Sequence, residues 1–247
     1  MKNIILCSLL FFSMARCSKE LVFEDQSFQK KTTLPCKENC PSISITIPIA
    51  KEVPDVAANI NKKVFAVLKE IVYFGEKPYA ATNYNDLTTS FIESYEKLHK
   101  EFPNDSFGWE AKIEGQINYA SDSILNIKIK FYTYTGGAHG YQGLRSLIFD
   151  PATGKPISNN QLFKDQNAFK AFAENKFRIK YKIPKNESIN STGLLFENNV
   201  FYLPQNLFYT DRGLLLYYNS YEASSYADGP KELLLSYKEV GPFLLLK

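Results

Sequence analysis

Phe131-Tyr-Thr-Tyr134-Thr-Gly136-Gly137-Ala-His139-Gly140-Tyr141, continuing through Gly143-Leu-Arg-Ser-Leu-Ile-Phe149, decides how this chain is expected to fold. Four glycines fall within eight residues between two strand-like runs, so the backbone must bend tightly there, with His139 at the bend. Upstream, Leu125, Ile127, Ile129 and Phe131 share one parity over Ile124 to Tyr134. Ala111, Ile113, Gly115, Ile117 and Tyr119 do the same over Trp109 to Tyr119. Ala120-Ser-Asp-Ser123 supplies a hairpin turn between these two runs, and Leu144 to Phe149 returns after the bend. The expectation is a three-stranded antiparallel meander.

Further out, Ser42-Ile-Ser-Ile-Thr-Ile47 alternates polar and apolar residues as a half-buried strand does, with Pro48 expected to close it. Val53, Val56, Ala57, Ile60, Val64, Val67, Leu68 and Ile71 then recur at three and four, one apolar stripe on a helix starting near Pro54. A second helix, capped by Asn85 or Asp86, carries Leu87, Phe91, Tyr95, Leu98 and Phe102 on one side and stops at Pro103. His99 is expected on its polar flank in a surface role. Asp150 to Lys155 reads as a turn, and Gln161 to Phe163 as a helical turn. A helix carrying Phe169, Phe172, Ala173 and Phe177 follows and ends by Pro184, after which Lys185 to Gly193 is a polar loop. Phe196 to Leu203, Gly213 to Tyr218 and Glu232 to Tyr237 read as strands. The fold class is therefore α+β: antiparallel sheets covered by helices, in two intimately packed subdomains.

With 247 residues, 45% hydrophobic and 15% aromatic, the chain can bury a sizeable core. Its first 16 residues hold Lys2 and Arg16 and no acid, leaving 27 basic against 26 acidic residues from Cys17 on. That balance argues against a nucleic-acid surface. Met1-Lys-Asn3 followed by Ile4 to Met14 reads as a secretory signal, since about 11 apolar residues fall short of the roughly 20 that span a bilayer. Ser13-Met-Ala15 suits an ordinary cleavage site, whereas Met14-Ala-Arg-Cys17 resembles a bacterial lipoprotein box, with Arg16 where that motif wants a small residue. Cysteine parity favours the second: with Cys17 lipidated, Cys36 and Cys40 pair within the reach a disulfide needs. The expected address is the bacterial cell envelope, the membrane being reached through the lipid alone. Residues 18–40 are read as a tether, its stretch to Thr33 being polar with little sustained period.

For chemistry, His139 is the one candidate general base at a bend, with Asp150 and Glu222 as possible partners. No nucleophile elbow, His-Glu-x-x-His pair or phosphate-binding loop occurs, and no ligand spacing joins the two histidines with the cysteines. No metal or cofactor is expected. The stronger signal is tyrosine: 16 residues, dense around the bend and in Tyr217 to Tyr226. Tyr offers a large rigid face with a polar tip, suited to stacking on sugars or to protein interfaces.

Tyr134-Thr-Gly-Gly-Ala-His-Gly140, Phe149-Asp150, Thr153-Gly-Lys155, Leu162-Phe163, Asp211-Arg-Gly213, Tyr221-Glu222, Tyr226-Ala-Asp-Gly-Pro230-Lys-Glu232 and Tyr237 together resemble the RsiV-like domain of unknown function. That domain occurs in lysozyme-sensing anti-sigma factors and beside PdaC-type peptidoglycan deacetylases. The segment from Cys40-Pro-Ser-Ile-Ser-Ile to Tyr134 resembles the PdaC-type companion domain. The resemblance implies a helix-covered antiparallel sheet in an envelope protein that recognises lysozyme-like protein or cell-wall glycan without catalysis. No transmembrane helix, sigma-binding segment or deacetylase domain is read in this chain. The expected division is 1–17 signal with the lipid cysteine, 18–40 tether, 41–134 PdaC-type subdomain and 135–247 RsiV-like subdomain. The expected binding residues are Tyr134, Gly136, Gly137, His139, Tyr141, Tyr221, Glu222 and Tyr226; the alternative is a cell-wall hydrolase or deacetylase using His139, Asp150 and Glu222.

Overall fold

A computed structural model describes residues 20–103 and 108–246. The signal segment and Cys17 lie outside the described residues. A five-stranded sheet has the order β1 (Val22–Lys31), β2 (Ser42–Lys51), β3 (Glu110–Ala120), β4 (Leu125–Tyr134) and β5 (Tyr141–Phe149). The expected meander is β3 to β5, antiparallel throughout, whereas β2 and β3 pair in parallel. Helices α1 (Pro54–Val72) and α2 (Tyr84–Glu101) make the crossover between them and pack against this sheet. Every position of the α1 stripe from Val56 to Leu68 is buried, which is the reason for its three-and-four spacing. The cap of α2 is Asn83, ahead of both expected candidates Asn85 and Asp86, its side chain accepting from the Asp86 N–H.

Two expectations fail in the first half. The segment read as a tether forms strand β1, in register with β2 along its whole length. Its apolar anchors, Phe23 and Phe28, lie five apart on opposite parities, so no period of two was visible. Nor does Pro48 end β2. Pairing with β3 stops at Thr46, so a residue lacking an N–H costs no ladder bond on that side. Beyond that point the Asn61 side chain of α1 takes over: its Oδ1 accepts from Ala50 N–H and its Nδ2 donates to Ala50 C=O, both at 2.9 Å.

The second sheet is β6 (Asn206–Thr210), β7 (Gly213–Tyr218) and β8 (Lys231–Ser236), with α3 (Gln166–Lys180) before it and the short α4 (Tyr237–Val240) after it. Phe196 to Leu203, expected as a strand, is not one: Asn198 and Asn199 take left-handed φ values of +54° and +57° and break the extended run. β6 lies instead on the next few residues. Leu207, Phe208 and Tyr209 are buried on both faces, so it shows no alternation.

The two sheets cap each other's edges. β6 stands with its open edge on β3 to β5: Asn118 donates to Tyr209 C=O (2.6 Å), Asn126 Oδ1 accepts from Tyr209 N–H (3.0 Å), and Ser146 Oγ donates to Leu207 C=O (2.5 Å). Conversely, the outer edge of β5 is met at alternate residues. Asn219 bonds both Leu144 N–H and C=O, Asn206 accepts from Ser146 N–H, and Ile157 N–H donates to Ile148 C=O. The sequence boundary at residues 134 and 135 therefore falls inside the first sheet, at the β4–β5 bend.

Glu239 closes the far end. It accepts from Ser236 N–H and Oγ in a capping box on α4 and pairs with Lys176 of α3 at 2.7 Å. These partners favour the charged form and hold its carboxyl down at about 2. A depressed carboxylate stabilises the fold above its ordinary 4.5 and loses that contribution as pH falls towards 2. Glu239→Gln should therefore flatten the acid limb of stability. Urea midpoints at pH 7 and pH 3 check this: the wild type should lose more than the variant, by a small margin because the pair is partly solvated.

Candidate functional site

The two tyrosine-bearing tracts meet on one surface. Tyr141 opens β5, and its hydroxyl donates to the Ser220 carbonyl at 3.2 Å, bringing the 219–230 loop against the bend. A row of near-parallel rings results. His139 stacks on Tyr226 with centroids 4.0 Å apart, Tyr226 neighbours Tyr221 at 5.8 Å, and Tyr221 neighbours Tyr141 at 6.4 Å. His139 is exposed, Tyr141 and Tyr226 are half-buried, and Tyr221 is 60% exposed. His139 Nδ1 lies 2.9 Å from the Gly140 carbonyl; a carbonyl only accepts, so Nδ1 carries the hydrogen and a neutral ring leaves Nε2 as an outward acceptor.

The bend is shaped by its glycines. Gly136 and Gly137 have φ of +107° and +91°, values an L side chain resists, and the Tyr134 hydroxyl donates to Gly137 C=O at 3.0 Å. At Gly140 the reason is space: a Cβ would lie 2.5 Å from the Tyr132 ring, which rests on this residue. On the facing loop Tyr221 itself has φ +69°, a strained state for a bulky residue that persists because its surroundings fix it. Those surroundings are Tyr221 N–H to Ser224 C=O, Ser224 Oγ to Gly229 C=O, and Ser225 Oγ to Asp228.

Both carboxylate oxygens of Glu222 are taken by backbone N–H groups. One carboxylate oxygen accepts from Gln205 N–H (2.8 Å) and the other from Asn219 N–H (2.9 Å), while its carbonyl takes the Tyr202 hydroxyl. Burial pushes its carboxyl above the ordinary range against the pull of those two bonds. Through these bonds it anchors the base of the Tyr221 loop. Asp150 is also committed elsewhere. It accepts from Ala152 N–H and Thr153 Oγ1 in the turn after β5, and these bonds hold its carboxyl below the usual range. Nine residues of β5 separate that turn from the bend, about 30 Å at roughly 3.3 Å per residue, so Asp150 cannot serve His139. The proposed acid–base set of His139, Asp150 and Glu222 is thus not assembled. Among the described residues no cluster of three or more His, Cys, Asp and Glu could hold a metal ion, and no helix is long and apolar enough to cross a membrane.

Sequence reasoning missed a second feature. On the other side of Tyr132 and Tyr134 opens a cleft of about 850 Å³, walled by residues 35–42 and floored by Tyr95, His99, Trp109 and Glu110. The Cys36–Cys40 disulfide, with Cα atoms 5.6 Å apart, closes the wall. A smaller hollow of about 230 Å³ shares Tyr95, His99 and Trp109 and reaches Gly136 and Gly137 of the bend. His99, expected on the polar flank, is half-buried here and stacked on Tyr95 at 5.7 Å. The one available signal was His99 one turn after Tyr95 on α2, which without coordinates reads as helix surface.

Residues 35–142 match the family model described as deacetylase PdaC, and residues 160–238 match DUF3298, a protein family of unknown function. No curated protein matches the sequence. Two solved structures have a similar fold. A DUF3298 family member from Bacteroides fragilis is 22% identical with a TM-score of 0.66, over 92% of this chain and 94% of its own. A DUF3298 family protein from Pseudomonas aeruginosa is 19% identical with a TM-score of 0.66, over 93% of this chain and 96% of its own. The mixed α+β architecture with two reciprocally capped sheets is thus the fold of DUF3298 family proteins, in a chain whose first part is similar to the PdaC model and whose second part is similar to the DUF3298 model, a family of unknown function.

Proposed function

We propose that this chain is an exported, non-catalytic binding module of the bacterial cell envelope, held to the membrane by a lipid on Cys17, that recognises cell-wall glycan. The supporting observation is the ring row His139–Tyr226–Tyr221–Tyr141, displayed on two loops braced by their own hydrogen bonds. Aromatic faces stack on the apolar side of a pyranose, and the Tyr hydroxyls and His139 Nε2 suit its hydroxyls. Because both loops are fixed before binding, little ordering entropy opposes association. A second reading, recognition of a lysozyme-like protein, draws on the 60% exposure of Tyr221 at a loop apex, where a partner's cleft would receive it.

Calorimetry with soluble peptidoglycan fragments and with lysozyme tests both. Binding of either, weakened at least tenfold in Tyr221→Ala/Tyr226→Ala, is the expected result, since two stacked anchors contribute about 1.4 kcal/mol or more. Titrations that stay blank for both, on a folded sample, would remove the proposal. Growth in labelled palmitate followed by Cys17→Ser reads out the anchor.

A further inference from the structure

We infer that the disulfide-walled cleft is a second binding subsite, and that its ligand is a neutral, polyhydroxylated ring such as an N-acetylated sugar. The inference rests on the proposed function only in taking the same ligand class as the ring row. Its volume, about 850 Å³, falls in the range of small-ligand sites. The lining selects among ligands. Lys37 is balanced by Glu38 and Glu110, so an anion finds no net positive field. A purely apolar ligand would cover Asn39, Ser42, His99 and the Tyr132 hydroxyl without offering them a partner. A sugar meets both demands, its C–H face on a tyrosine ring and its hydroxyls on the polar groups between.

The wall and floor are built rather than incidental. All eight residues from Pro35 to Ser42 line the cleft, and the disulfide ties their two ends into one turn. Gly108 lets the floor come up under that wall: a Cβ there would lie 1.8 Å from the Asn39 carbonyl oxygen. Asn39 itself holds φ +50°. Trp109 is buried by Phe74 at 4.4 Å, Phe91 at 5.5 Å and Tyr95 at 5.9 Å, which fixes the ring bordering the cleft. His99 Nδ1 is buried beneath the floor with no hydrogen-bond partner among the described groups. Tyr132 stands between this cleft and Gly140 of the bend, so one extended saccharide crossing it would reach both the cleft and the ring row.

Trp109 is the only tryptophan in the chain, which gives the cleft its own optical probe. The test titrates the full chain with the β-1,4-linked N-acetylglucosamine tetramer, following calorimetric heat and tryptophan emission together. The expected result is a saturable change in Trp109 emission at the calorimetric midpoint. Cys36→Ala/Cys40→Ala and His99→Leu should each weaken binding at least tenfold. The disulfide closes so short a loop that its loss leaves the fold standing, and near-ultraviolet circular dichroism verifies this. Should the double variant unfold, His99→Leu and the Trp109 signal carry the test. Tetramer binding that is abolished by Tyr221→Ala/Tyr226→Ala, yet leaves Trp109 emission and His99→Leu affinity unchanged, would overturn the second subsite while leaving the ring row intact. No heat from any saccharide would overturn it together with the glycan reading.

Discussion

Replacing Asn126 with leucine lowers the melting temperature by roughly 6–12 °C. Asn126 is fully buried, and its amide bonds three groups on two other strands at once. Oδ1 accepts from Tyr209 N–H in β6, while Nδ2 donates to Ser146 Oγ (2.9 Å) and Leu147 C=O (3.1 Å) in β5. Leucine has similar volume, so packing is nearly retained and the loss is polar. It strands the Tyr209 N–H, a buried donor whose other side already faces β7, at about 1–3 kcal/mol. The Leu147 carbonyl and Ser146 hydroxyl lose a partner each, bringing the total to about 3 kcal/mol. For a chain of this length about 1 kcal/mol moves the midpoint by roughly 2–4 °C. Differential scanning calorimetry checks the shift, and the exposed pair Ser27→Ala/Thr46→Ala, removing one surface bond at 3.0 Å, is the control. A leucine variant as stable as that control would mean that the sheets are held together by apolar contact alone.

The same amides explain what the sequence could and could not reveal. Elements with a one-sided apolar pattern were legible: the stripe of α1, the alternation of β2, and the parities of β3 and β4 all mark a face turned to one core. Elements whose burial follows another rule were not. β6 is covered on both faces and reads as a short apolar run, and β1 is held by only two aromatic anchors plus a ladder of backbone bonds. The capping asparagines are invisible for a related reason: Asn61, Asn126, Asn206 and Asn219 look like surface or turn residues, yet Asn126, Asn206 and Asn219 are buried because each replaces a missing strand neighbour. At the candidate site the tyrosines and the glycine bend were visible as composition. The part played by Glu222 was not, since a carboxylate beside an exposed tyrosine in the sequence gives no sign that backbone N–H groups take both of its oxygens. The cleft needs residues 35–42 brought onto Trp109 and Tyr132, contacts between segments about 70 and 95 residues apart for which no local period exists.

Gly213→Ala should cost about 3–5 kcal/mol, more than any other glycine-to-alanine change on the sequence motifs, and the reason lies in what those motifs are for. Asp211-Arg-Gly213 turns β6 into β7, with Thr210 opposite Gly213 and Thr210 Oγ1 donating to Gly213 C=O at 2.8 Å. At Gly213 φ is +151°, and a Cβ would lie 2.0 Å from the Leu235 carbonyl oxygen in β8. Alanine therefore meets two penalties: a strained backbone, on the order of 1–3 kcal/mol, and overpacking against backbone that cannot swing aside, about 1–3 kcal/mol more. Gly137→Ala isolates the first penalty, because φ there is +91° but no atom lies within 4 Å of the added Cβ. Its cost should stay near 1 kcal/mol. Urea midpoints of the two variants, read by near-ultraviolet circular dichroism, separate the contributions: the Gly213 variant should shift at least twice as far. Equal shifts would mean that β8 can retreat from β7 without loss.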